Sequence, residues 1–124
     1  MQIYKSKEAA EYFSKNRNKL EAFYKSEQAI LHEFVSDISK ENDFHTVLDI
    51  GCATGGLGRA LKDKLINKIN YIGVDINPLS IQKGRMLNKD LTLIEGDFSK
   101  KIIDLSNEKV DTIISLSCID WNDD

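Results

Sequence analysis

At 124 residues the chain suits one small domain, and 41% hydrophobic with 30% charged residues mark a folded chain rather than a disordered one. A formal net charge of -3 disfavours a phosphate-seeking surface, because nucleic-acid affinity begins with a basic patch. No apolar run is long enough for a membrane span or a signal peptide, so the cytoplasm is the expected location and neither membrane nor nucleic acid is an expected partner.

In chain order, the part to about residue 43 reads as helical, with Tyr12, Phe13, Leu20, Phe23 and Tyr24 as its apolar anchors. A clearer helix is predicted over 26–40. Ile30, Phe34, Val35 and Ile38 fall at i, i+4, i+5 and i+8 and so share a face. Ser26 supplies a cap oxygen there, with Glu27 placed against the helix dipole. From His45 the pattern changes. Thr46-Val47-Leu48-Asp49-Ile50 is a short apolar run ending at Gly51 and reads as a buried strand. A Gly-rich turn and a helix over 56–67 follow. Tyr71-Ile72-Gly73-Val74-Asp75 is a second strand. Asn77-Pro78 opens the next helix, with Asn as cap and Pro at the first helical position, where no N–H is needed. Leu91 to Glu95 and Asp111 to Ser117 are the third and fourth strands. Strands alternating with helices predict βαβ units, a parallel sheet apolar on both faces, and right-handed crossovers.

The most informative segment is Val47-Leu48-Asp49-Ile50-Gly51-Cys52-Ala53-Thr54-Gly55-Gly56-Leu57-Gly58. A strand ends in an acid, enters a turn of small residues and leads into a helix. Such a turn lets backbone approach a ligand, and the helix start offers free N–H groups. By geometry alone it suits any nucleotide, and a bare tight turn is the plain alternative. A dinucleotide fingerprint wants G-x-G-x-x-G, and the third glycine is missing when the pattern is read from Gly56. Asp75 ends the second strand roughly 20 residues further on, where an acid meets a ribose in doubly wound folds. A carboxylate accepts from two vicinal hydroxyls at once. The plain alternative for Asp75 is a helix-capping role, which Asn77 already fills. Leu93-Ile94-Glu95-Gly96-Asp97-Phe98 follows the third strand, and taken alone is a turn.

The order acid, x, Gly, x, Ala, x, Gly resembles the first motif of the class I S-adenosylmethionine-dependent methyltransferases of small-molecule type. Gly73-Val74-Asp75-Ile76-Asn77-Pro78 is similar to that family's second motif, and Gly96-Asp97-Phe98 lies where its third falls. The resemblance runs from about Thr46 to the C-terminus. It implies a Rossmann-like doubly wound parallel sheet and S-adenosyl-L-methionine as cofactor. Contacts are implied from Asp49, Gly51, Cys52, Ala53, Gly55, Asp75, Ile76, Asp97, Phe98 and Ser115. In that scheme Asp75 holds both ribose hydroxyls, and Asp97 accepts from the adenine amino group with Phe98 beside the ring. Ile119-Asp120-Trp121-Asn122-Asp123 looks like the Leu-His-Trp-x-x-Asp region of small-molecule methyltransferases, with Asp120 in place of His. Asp120 and Asp123 are the candidate bases, needed only if the acceptor must lose a proton. No Asn-Pro-Pro-Tyr segment is present, which disfavours amino groups of bases or of glutamine as acceptors.

The expected organisation is an N-terminal helical cap over 1–44 and a cofactor-binding domain over 45–124. A full domain of this family continues for several more strands, so the resemblance implies truncation after the fourth. It also implies an open edge at Ile113, Ile114 and Leu116 that invites a homodimer. Two further readings remain: a non-catalytic cofactor-binding module that needs a partner, and a nicotinamide-dependent oxidoreductase, since fold alone does not fix function. Tyr12, Phe13 and Tyr24 either line the cap or belong to the helical core. No metal site is expected. Cys52 and Cys118 make no zinc pattern, and in this topology both follow neighbouring strands, as free thiols beside the cofactor. His32 and His45 are read as structural or solvated, and Lys62, Lys64 and Lys68 as the wet face of a helix.

Overall fold

The computed structural model describes residues 18–100 and 109–116. Expectations placed on Tyr12, Phe13, Cys118, Asp120 and Asp123 lie outside those residues. Four parallel strands, β1 (His45–Ile50), β2 (Ile69–Asp75), β3 (Thr92–Glu95) and β4 (Thr112–Ile114), form one sheet in the order β3-β2-β1-β4. Helix α1 (Lys25–Ser39) precedes the sheet, α2 (Gly56–Lys64) joins β1 to β2, and α3 (Pro78–Leu87) joins β2 to β3. The chain winds outward from β1 to β3, then returns to β1's other side to form β4. That reversal is the switch point at which doubly wound sheets open a crevice beyond their carboxyl ends.

These three helices pack on one face. Their buried Leu31, Ile38, Leu57, Leu61 and Ile81 meet Val47, Tyr71 and Leu93 of the sheet, together with Leu20 and Phe23 from the N-terminal side. The opposite face buries Leu48, Ile72 and Val74. Strands apolar on both faces are what a covered parallel sheet requires.

Several local expectations shift. Helix α1 starts at Lys25 with Tyr24 as N-cap, not at a Ser26 cap. Glu27 sets that boundary, because its Oε1 accepts the Tyr24 N–H at 3.0 Å, the acidic half of a capping box. The buried stripe centres on Leu31 and Ile38, with Phe34 and Val35 flanking. Ile30 is rotated off it and is 68% exposed. Helix α2 ends at Lys64 rather than at 67: its C-cap Leu65 leaves helical geometry at φ -121 and ψ 53, and Asn67 then takes φ 62, a left-handed conformation that Asn tolerates. Asn77 caps α3 as expected, its Oδ1 accepting from Leu79 and Ser80 N–H. Lys68 is not simply a wet-face lysine. Its ammonium donates to the Ser39 and Glu41 carbonyls at 2.7 and 2.8 Å and closes the C-terminal end of α1. Lys62 donates to the Asp90 carbonyl, and Arg59 forms a two-pronged pair with the Asp90 carboxylate, which ties α2 to the turn before β3. His45 Nε2 pairs with Thr112 Oγ1 at 2.6 Å, and its ring meets Phe34 edge-on. Its role is structural, at the sheet end remote from the Gly-rich turn. His32 is exposed. Among the described residues, no helix is long and apolar enough to cross a membrane.

Candidate functional site

Beyond β1 the chain turns sharply: Gly51, Ala53 and Gly55 take φ of 77, 52 and 85. Left-handed backbone at alternate positions needs residues with little or no side chain, which is why this stretch is Gly-x-Ala-x-Gly. The turn is laced to the end of β2. Gly51 and Cys52 N–H both donate to the Val74 carbonyl, and Gly55 N–H donates to the Cys52 carbonyl. Ala53 N–H donates to Asp75 Oδ2 at 2.7 Å. Asn88 supports the turn from behind, its side-chain amide donating to the Thr54 carbonyl.

Asp75 is the junction of this region. Its Oδ1 accepts the Asn77 N–H at 2.8 Å, and its own carbonyl accepts the Gly96 N–H at 2.8 Å. The turns after β1, β2 and β3 therefore converge on one residue that is 6% exposed. Burial raises the carboxyl's pKa above its ordinary value, and the N–H groups of Asn77, Ala53 and Ile76 hold that rise back. Each carboxylate oxygen has a second acceptor position, so backbone bonding leaves capacity for hydroxyl donors.

Period-two alternation places Tyr71, Gly73 and Asp75 on one face of β2, and Asp49 lies opposite Gly73 in the register. The Tyr71 hydroxyl donates to Asp49 Oδ2 in a short hydrogen bond. Both side chains are buried, Tyr71 being 1% and Asp49 3% exposed. Cys52 fills the space above Gly73, where an added Cβ would meet its sulfur at 2.7 Å. Burial, then the Asp49 and Asp75 charges, push the Cys52 thiol well above its ordinary pKa. Burial and Asp49 do the same to Tyr71. Cys52 is a free, buried thiol. In a Cys118→Ser background it is expected to react with iodoacetamide roughly 100-fold more slowly than an unfolded thiol, since the thiolate is the reactive form. Alkylation at the unfolded rate would contradict this burial.

Asp97 and Phe98 follow β3, one strand beyond Asp75, at the same carboxyl edge. Asp97 Oδ1 accepts from both the N–H and the hydroxyl of Ser99, which caps the helical turn at 98–100 and lowers its pKa. Phe98 is 38% exposed. Ser115 lies half-buried just past β4, whose Ile114 aligns with Asp49. Asp49, Gly51, Cys52, Ala53, Gly55, Asp75 and Ile76 thus form one cluster, with Asp97 and Phe98 on one flank and Ser115 on the other. Sequence reasoning missed Tyr71 as a member. Its signal was a phenol two and four residues before Gly73 and Asp75, on their face of the strand, where a buried hydroxyl needs a partner.

A parallel sheet that reverses at β1, with a small-residue turn and a strand-end acid above the reversal, defines a Rossmann-like ligand-binding domain. Residues 41–123 match the family model described as a methyltransferase domain, and the chain belongs to that family. The malonyl-[acyl-carrier protein] O-methyltransferase of Brevibacillus brevis is 27% identical over 95 residues, 73% of this chain and 34% of that protein. The plantazolicin methyltransferase BamL, solved with a triazolic desmethylPZN analogue and S-adenosylhomocysteine, is similar over 90% of this chain and 42% of its own, with a TM-score of 0.61 and 21% identity. Streptomyces venezuelae DesVI is similar over 88% and 41%, with a TM-score of 0.57 and 16% identity. A chain of the Haloferax volcanii complex between a methyltransferase activator and a methyltransferase is similar over 99% and 49%, with a TM-score of 0.57 and 21% identity. The chain spans about a third of the curated relative and half or less of these solved chains. Those structures establish the fold.

Proposed function

We propose that the chain binds S-adenosyl-L-methionine at the carboxyl ends of β1–β3 and serves transfer of its methyl group to a small-molecule acceptor. One observation carries this reading: the Gly-rich turn is lined by two buried carboxylates, Asp49 and Asp75. The N–H groups of Gly51, Cys52, Ala53 and Gly55 are all engaged within the protein. A pyrophosphate at this turn would face both carboxylates, like charge against like. A ligand with a diol and a positive charge, and no phosphate, suits the site. The family match supports the activity, and S-adenosylhomocysteine in the BamL structure supports the ligand.

When bound, the cofactor would supply an electrophilic methyl group on a sulfonium. Asp75 would accept from the ribose hydroxyls through the remaining acceptor positions on its oxygens. Asp97 and Phe98 would receive the base, Asp97 as acceptor for its amino group and Phe98 beside the ring. The turn from Gly51 to Gly55 would let the backbone lie against the sugar and amino-acid portions, with Ser115 on the opposite flank of the site. Asp120 and Asp123 remain the proposed bases. Holding two reactants in line is itself worth several kcal/mol of barrier. Residues 1–44 are proposed to cap this domain, which starts at 45, and the cytoplasm is its proposed location.

A second reading, a module completed by a partner or a second copy, draws support from β4. An apolar groove of about 390 Å³ runs between α1 and β4. It is bordered by Ile30 and Ile113, which are 68% and 57% exposed. Light scattering distinguishes a homodimer from a monomer, and methyl-transfer assays with and without candidate partners separate enzyme from module. Calorimetry tests the main reading: S-adenosylhomocysteine is expected to bind at micromolar concentration and NAD not at all. Binding of NAD alone would overturn it.

A further inference from the structure

The Gly-rich turn is held from α3 as well as from β2. Asn88 ends α3 and is 6% exposed. Its backbone is satisfied locally: its N–H donates to the Gly84 carbonyl at 2.8 Å, and its carbonyl accepts the Leu91 N–H at 3.0 Å. At φ -129 it does not take the left-handed form for which Asn is favoured at helix ends. Local structure therefore leaves the choice of its side chain unexplained. That side-chain amide donates to the Thr54 carbonyl at 3.0 Å, 34 positions away and inside the turn. Thr54 is 2% exposed, so its carbonyl needs a partner within the protein. Gly84, one helical turn before Asn88, brings the α3 backbone against the same group: a Cβ there would lie 2.5 Å from the Thr54 oxygen. Beneath Gly55, the side chains of Leu91 and Leu93 come within 3.1 Å of where a Cβ would sit. Asn88, Gly84 and the segment entering β3 thus converge on one peptide unit, Thr54–Gly55.

That unit is where the turn can change shape. Its N–H, on Gly55, donates to the Cys52 carbonyl at 2.9 Å, and its carbonyl, on Thr54, receives Asn88. Gly55 stands at φ 85 but reaches negative φ about as readily, so the chain itself permits this peptide plane to flip. A flip breaks both bonds and releases the adjoining Ala53, whose N–H donates to Asp75 Oδ2 at 2.7 Å. We propose that Asn88 is a positioning residue for the cofactor: its side-chain amide locks the Thr54–Gly55 peptide in the orientation that keeps the turn seated on Asp75. This rests on the reading of function above. Without the amide, the buried carbonyl loses the donor that Asn88 gives it, and the turn exchanges between the seated form and a flipped one that binds the cofactor poorly. The apparent affinity then falls with the fraction of molecules that are seated.

The test is calorimetric titration of S-adenosylhomocysteine into the parent, Asn88→Ala, Asn88→Asp and Lys68→Ala, with the amide nuclear magnetic resonance spectrum of each folded protein recorded before ligand is added. Asn88→Asp keeps the volume and, at about pH 8, replaces the donor by an ionised carboxylate. Lys68→Ala loses two carbonyl contacts at the remote end of the sheet and controls for lost stability alone. Both Asn88 variants are expected to bind about tenfold more weakly than the parent, the order of one buried hydrogen bond, and to broaden the signals of 53–56. Lys68→Ala is expected to bind as the parent does. Parent-like affinity in the folded Asn88 variants, an equal loss in Lys68→Ala, or weaker binding with unchanged signals at 53–56 overturns the proposal and leaves the functional reading standing. If neither Asn88 variant folds, the parent decides. Coupling is reciprocal, so solvent exchange of the Asn88 side-chain amide protons is expected to slow when the ligand binds, and an unchanged rate overturns the proposal. No binding by the parent overturns the functional reading on which the proposal rests.

Discussion

Replacing Asp75 with alanine is expected to weaken S-adenosylhomocysteine binding by at least about 100-fold, two charge-assisted hydrogen bonds of roughly 1.5–3 kcal/mol each being lost. Stability is expected to fall as well. The Ala53 and Asn77 N–H groups now end on Asp75 at 2.7 and 2.8 Å, and orphaning a buried N–H costs about 1–3 kcal/mol. Removing a desolvated charge offsets part of this, and a net loss of about 2 kcal/mol is expected. Asp75→Asn separates the two effects, because it keeps the volume but turns an amide donor toward one of those N–H groups.

The pH dependence has a definite sign. The folded carboxyl has a raised pKa, chiefly from burial. Between that value and the ordinary one the folded state holds the proton more tightly than the unfolded chain. This residue's contribution to stability therefore grows as pH falls through that window and is lost as pH rises. Ligand affinity moves the other way. It needs the ionised acceptor, so it falls as pH drops through the raised pKa of Asp75. Asp75→Asn should lack that slope. An Asp75→Ala protein that binds S-adenosylhomocysteine as the parent does would remove the residue from the site.

Gly58→Ala is expected to lower the melting temperature by on the order of 8 °C. Helix propensity alone predicts the opposite, since alanine in a helix interior is better than glycine by about 1 kcal/mol. Packing decides the sign. A Cβ at Gly58 would lie 2.6 to 2.7 Å from three atoms of the Tyr71 ring. That ring is fully buried and its hydroxyl is tied to Asp49, so it has little room to retreat. Overpacking of this kind costs about 3 kcal/mol, a net loss of about 2 kcal/mol after the helix gain. Because the displaced ring would drag Asp49, ligand affinity should fall too. Thermal denaturation followed by circular dichroism reads the effect, and an unchanged or raised midpoint would contradict this account of the α2–β2 contact.

Strands β1 and β2 were legible because continuous apolar runs bounded by Gly leave little choice, and Asn77-Pro78 announces a helix start by chemistry that needs no tertiary partner. Asp49 and Asp75 stood out as acids at strand ends. Features that depend on distant partners were not legible. The stripe on α1 centred on Leu31 instead of Ile30 because the sheet, not the helix, selects the buried face. Lys68 looked like a solvated lysine until its carbonyl partners on Ser39 and Glu41 were placed beside it. Asp97 was read for its ligand contact, while its carboxylate also holds the local cap on Ser99. The Tyr71–Asp49 bond joins residues 22 positions apart. Only the register of β1 against β2 brings them together, and a single sequence carries no direct sign of register.

The most direct test is an amide nuclear magnetic resonance titration of the isotopically labelled chain with S-adenosylhomocysteine. The largest shifts are expected at 51–55, 75–77 and 96–98, the three turns that meet at Asp75. Shifts confined to the apolar groove between α1 and β4, with those turns unmoved at saturating ligand, would contradict a binding site at the carboxyl ends of the strands.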